Sequence, residues 1–145
     1  MAVPSPMPEG AWSRHTNPWS GATRMLGGAA LLLTLYRHAW KGLATTVAFL
    51  VLNPVLFPEP EDTDNWLSEG VLGEEAWIAD GNPMFGMGYP EVINVLNVPL
   101  YLYTLCSAYR QYPVRTLVGF LVTFALKLLF VDAMGRYYRA RRDLR

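Results

Sequence analysis

A chain of 145 residues whose twelve basic and twelve acidic side chains cancel lacks the bulk positive field that attracts nucleic acid, so none is expected as a partner. A single cysteine, Cys106, excludes an intramolecular disulfide and a cysteine-built metal site. Apolar residues, 52% of the total, gather in four runs at 25–36, 42–57, 92–109 and 114–134, and this points to a lipid bilayer as the surrounding medium.

Residues 1–11 are proline-rich, and no basic stretch precedes an apolar one, so they read as a disordered tail rather than a signal peptide. Asn17-Pro18 then marks a helix start. Asparagine is a preferred N-cap, and proline suits the first helical position, where its missing N–H is no loss. A helix over 18–37 is about 30 Å long, one bilayer crossing. Trp12 and Trp19 would sit at the headgroups, with Arg24 near enough to snorkel outward. Gly27-Gly28-Ala29-Ala30 offers a small-residue patch for a neighbouring helix. His15, beside the helix start, reads as a capping or packing residue.

The short turn "YRHAWK" leads into a second helix over 40–57, antiparallel to the first. Asn53-Pro54 interrupts that helix one turn before its end. The segment 58–89 is an acidic loop: from Phe57 to Glu91 there are nine carboxylates and no lysine or arginine. Within it, Trp66, Leu67, Val71, Leu72, Trp77 and Ile78 alternate with acids, predicting one or two short amphipathic helices lying on the membrane surface. Glu69, Glu74, Glu75 and Asp80 read as a solvated face. They lack the spacing of a calcium loop, and no histidine is close in sequence, so no metal is expected.

Pro90 opens a third helix over 90–109, and Pro99 inside it should kink it. Cys106 reads as a small buried hydrophobe. "RQYPVR" turns the chain into a fourth helix over 114–135, followed by a basic tail, 136–145. The expected architecture is a single all-α domain: a four-helix transmembrane bundle of two helical hairpins. A soluble bundle would show a polar stripe of helical period, which the runs lack. The halves share a plan without an aligned repeat of the kind an inverted-repeat transporter would carry.

Polar residues within the spans are Asn53, Asn94, Asn97, Lys127 and Asp132, with Glu91 at an entrance, and all fall in the half nearest the termini. With His15 and Asn17 they form the candidate polar or ligand cluster. Lys127 is the sharpest, because a charge at membrane depth is costly. Its readings are snorkelling, a hydrogen bond to Asn53, Asn94 or Asn97, and substrate or ion handling. Asn94 and Asn97 share a face with Glu91 and read as interhelical glue. Asp132 and Arg136, four apart, can pair with each other.

Four spans put both termini and the acidic loop on one side. That side carries seven lysines and arginines against four at the two turns, which places the termini in the cytoplasm and the chain in the inner membrane. Arg136, Arg139, Arg141, Arg142 and Arg145 are expected to bind anionic lipid headgroups, or to pair with the acidic loop on the same side.

No nucleophile elbow, phosphate loop, dinucleotide fingerprint or zinc-protease helix is present, so neither catalytic residues nor a cofactor is expected. The first functional reading is a non-enzymatic accessory or oligomerising subunit, partnered by its own copies or another membrane protein. One alternative is a small transporter or channel-like protein with a polar site around Lys127. Another is a membrane enzyme acting on a lipid or isoprenoid, with His15 and the loop carboxylates as acid–base groups.

The phrases "WSRHTNPWS", "NPVLFPEP" and "LGEEAW" together resemble a family of small prokaryotic integral membrane proteins of uncharacterised function. The resemblance covers about Trp12 to Gly135. It implies a membrane location and a four-helix plan, and carries no catalytic residue with it.

Overall fold

The computed structural model describes Met7, Pro8 and residues 10–145, so most of the expected tail over 1–11 lies outside the described residues. Among these described residues there are six helices, α1 Ala11–His15, α2 Pro18–Tyr36, α3 Trp40–Leu56, α4 Trp66–Ala79, α5 Glu91–Tyr109 and α6 Pro113–Asp143. Among the described residues there is no strand.

The start of α2 follows from its sequence. The Asn17 side chain accepts from the Trp19 N–H at 2.9 Å, and Pro18 takes the first helical position. The same amide donates to the Pro58 carbonyl at 3.0 Å, tying the helix start to the chain leaving α3. Pro54 lies in the last turn of α3, which ends two residues later at Leu56. Asn65 caps α4 by accepting from the Ser68 N–H at 2.9 Å. The acidic segment thus holds one 14-residue helix.

α5 continues through Pro99 as one helix. Two expectations are corrected. The fourth long helix does not stop at Gly135: α6 runs for 31 residues to Asp143, because nothing in "RYYRARRD" breaks a helix and α4 packs its added turns. Cys106 is exposed on α5 rather than buried.

The long helices pack as an open row in the order α3, α2, α5, α6. Neighbours approach through small residues. A Cβ on Gly27 would lie 2.6 Å from Leu50 across the α2–α3 contact, and Gly119 of α6 faces Thr104 of α5. As an edge helix, α3 buries Asn53 alone of its 17 residues.

α4 packs chiefly on α6 and also touches α1 and α2. Gly70 meets Val131 and Gly73 meets the Met134 backbone. Further on, the Trp77 and Tyr137 rings are 4.9 Å apart, and Asp80 pairs with Arg141 at 2.8 Å. These contacts advance in the same direction along both helices, so α4 runs beside the second half of α6. Trp77 packs against the Ile93, Phe130 and Met134 core, while Trp66 stays partly exposed.

The two turns are joined at one end of the row. His38 and Gln111 each follow a helix C-cap with positive φ, 51° and 57°, a conformation rare outside glycine. The His38 Nε2–H donates to the Tyr109 carbonyl at 2.8 Å, and Gln111 Nε2 donates to the Tyr36 carbonyl at 2.9 Å. Tyr36-Arg37-His38 and Tyr109-Arg110-Gln111 are thus matching corners, a correspondence of three residues without a longer repeat around it.

The exterior is unusually apolar. Val51, Val114 and Leu117 are 72%, 71% and 59% exposed, whereas Ser20, Asn53, Ser68 and Thr104 are fully buried. α5 and α6 are long and apolar enough to cross a membrane; α3 is apolar but shorter.

Candidate functional site

One face of the row forms a trough. Its floor is α5, its walls are α2 and α6, and α4 closes one end. The closed end is a cavity of about 330 Å³, within the range of small-molecule sites. Arg24 from α2, Glu74 from α4, Asn97 and Tyr101 from α5, and Lys127 from α6 all line it. Phe120, Phe124, Met25 and Val131 supply apolar walls.

Lys127 Nζ is 3.7 Å from Glu74 Oε1 and 5.3 Å from the centre of the Phe130 ring. Its partner is therefore a loop carboxylate, not Asn53, Asn94 or Asn97. A separation of 3.7 Å is a loose pair that leaves ammonium donors free. Arg24 turns inward instead of snorkelling: its Nη1 lies 2.9 Å from His15 Nδ1 and also contacts Nε2. Burial, with the positive charges of Arg24 and Lys127, lowers the His15 pKa from 6.5 to about 4. A neutral His15 ring can accept from Arg24, so it holds the guanidinium without cancelling its charge. Two cations against one carboxylate leave the cavity net positive.

Asn97 Oδ1 is buried without a partner. Rotating this amide exchanges an acceptor for a donor, so the group is available to a bound molecule in either sense.

The other candidates go elsewhere. Asn53 accepts from Ser20 at 2.8 Å and donates to Thr23 at 3.0 Å, joining α3 to α2. Asn94 donates to the Met84 carbonyl at 2.8 Å. Glu91 folds over Gly86 and Gly88 with Oε2 buried and unpartnered. Asp132 pairs with Arg136 at 2.7 Å, as their spacing predicts, and accepts from the Trp66 indole. Asn17 caps α2.

The acidic face is largely engaged rather than solvated. Glu69 is buried and pairs with Arg139 and, at 3.8 Å, Arg142. Asp80 pairs with Arg141 and accepts from the Tyr137 hydroxyl. Burial raises the Glu75 pKa. Loop and arginine segment do attract each other.

The sequence reading missed Arg24 and Tyr101 as site residues. The signal was available for Arg24, since the cost assigned to Lys127 applies equally to a guanidinium one and a half turns into a span. The inward partner of Arg24 is His15 at the end of α1, a five-residue helix that no local pattern announces.

No curated protein and no solved structure matches the chain. A family model does, over residues 1–141. Covering nearly the whole chain, the match assigns the protein to a family of unknown function, DUF6653.

Proposed function

We propose that this is a multi-pass protein of the inner membrane, crossing through α2, α3, α5 and α6 with both termini in the cytoplasm, and that it binds an anionic molecule in the trough. The carrying observation is the convergence of Arg24 and Lys127 on one cavity with a single carboxylate between them. The membrane setting is supported by the apolar exterior of α3, α5 and α6 and by the polar side chains packed inside. The tryptophan and basic flanks of α2 and α3 extend these helices into the interface.

This favours the binding-site alternative over an oligomerising subunit, because Leu50 fills the small-residue seam at Gly27 and the neighbouring Gly28 lines the cavity. Acid–base catalysis has less support: Glu69 and Asp80 are held by arginines, and His15 is committed to Arg24.

The test uses protein extracted from membranes with a neutral detergent. Its thermal midpoint is followed while inorganic phosphate replaces chloride at fixed ionic strength. Phosphate should raise the midpoint, and Lys127→Gln should remove the rise. A midpoint indifferent to phosphate, sulfate and glycerol phosphate, together with no response to an anionic lipid, overturns the reading.

A further inference from the structure

The charged cavity is not isolated. Met25, Leu67, Phe120 and Phe124 are shared with a second hollow of about 450 Å³, whose remaining walls are Ala22, Leu26, Ala29 and Trp66. Ala29 and Phe120 are shared again with a third, of about 310 Å³, running between Leu32, Leu33 and Tyr36 of α2 and Pro113, Thr116 and Leu117 of α6. The three make one trough along the α2–α6 gap. Its cations lie at the end closed by α4, and the remainder is almost wholly apolar.

We propose that the trough binds an anionic amphiphile, with the headgroup between Arg24 and Lys127 and the hydrocarbon chain laid along the gap between α2 and α6. This rests on the anion site of the preceding section and names its ligand class. Three observations specify the occupant. The positive charge is confined to one end, so a ligand charged at one end matches it. Between Lys127 and Leu117 the helical rise is about 15 Å, a length suited to a chain and far too long for a small anion. The middle of the trough opens sideways past Leu26, which is 71% exposed, so a lipid can enter from the hydrocarbon without crossing water. Asn97 and Tyr101, on the floor at the charged end, are placed to hydrogen-bond headgroup oxygens.

Three probes separate head from chain: glycerol phosphate (head only), lysophosphatidylcholine (chain with a zwitterionic head) and lysophosphatidic acid (both). Binding to the detergent-purified protein is read by native mass spectrometry and thermal shift. Lysophosphatidic acid should bind at least about tenfold more tightly than either of the others. Lys127→Gln should bring it down to the level of lysophosphatidylcholine. Ala29→Phe, which fills the junction of the apolar stretches, should weaken lysophosphatidic acid and leave glycerol phosphate unchanged. The unmodified protein's ranking of the three probes needs no variant to fold. If glycerol phosphate matches lysophosphatidic acid, the chain assignment fails and the anion site stands. If lysophosphatidylcholine matches it and Lys127→Gln changes nothing, both fail.

Discussion

Asn53 is the buried residue of α3, and its side chain joins Ser20 and Thr23 of α2 through hydrogen bonds of 2.8 and 3.0 Å. An asparagine facing inward from a helix whose leucines and valines face outward reverses the usual order of a water-soluble protein. Interhelical hydrogen bonds in a bilayer contribute about 0.6 kcal/mol each on average. Asn53→Leu should therefore lower stability by about 1–2 kcal/mol, measured as a fall in thermal midpoint in detergent. A midpoint equal to that of the unmodified protein would show that this bridge does not hold α3.

The glycines divide sharply by position. A Cβ at Gly73 runs into the Met134 backbone, whereas one at Gly28 meets nothing within 4 Å. Gly73→Ala should force α4 off α6 at a cost of at least about 2 kcal/mol. Gly28→Ala should be neutral, or stabilising by up to about 1 kcal/mol through helix propensity. Chemical denaturation of the two variants side by side checks the contrast, and equal effects would refute the close α4–α6 approach.

His15 should make stability depend on pH. Its folded pKa is about 4 against an ordinary 6.5, so the unfolded chain takes up a proton in this window while the folded one does not. Stability is unaffected by this group above 6.5, falls as the pH drops towards 4, and levels off below that. The loss by pH 5 is about 2 kcal/mol. Because carboxylates also titrate at low pH, the measurement is the difference between the unmodified protein and His15→Gln in midpoint from pH 7.5 to 5. The variant should fall less; parallel curves would refute a neutral, buried imidazole.

Glu69 holds the end of α6 through Arg139 and Arg142. Arg139 is partly exposed, so the pair is screened, and Glu69→Gln should cost about 1–2 kcal/mol. The local consequence is more specific: trypsin should cut after Arg139, Arg141 and Arg142 several times faster in the variant. If the arginines are instead held by anionic lipid, cleavage will track vesicle composition and ignore the substitution.

Orientation has its own check. With the cytosolic face enclosed, a C-terminal tag should resist external protease and become accessible only on lysis. Cleavage from outside would reverse the assignment of the termini.

Where a few adjacent residues carry the instruction, the fold was legible in the sequence. Asn17-Pro18 starts α2, Pro54 and "PEPED" end α3, and the Asp132–Arg136 pair follows from spacing alone. The end of α6 was not legible because five arginines in ten residues repel one another along a helix until Glu69 and Asp80 of α4 are brought alongside. The open row was not legible at all. It depends on which glycine meets which side chain across helices, as Gly27 meets Leu50 and Gly119 meets Thr104. Lys127 was found from its cost in hydrocarbon, but its partner Glu74 was hidden among other loop acids of equal standing.

The reciprocal bonds of His38 to Tyr109 and Gln111 to Tyr36 pin the two hairpins together at their corners. A pair of rods fastened at one end opens like a clothes-peg. Any swing of α2 against α6 pivots at those corners and grows along the helices, with Arg24 and Lys127 standing about 18–21 Å out. There α4 touches both rods and acts as the strap that sets how far the jaws part.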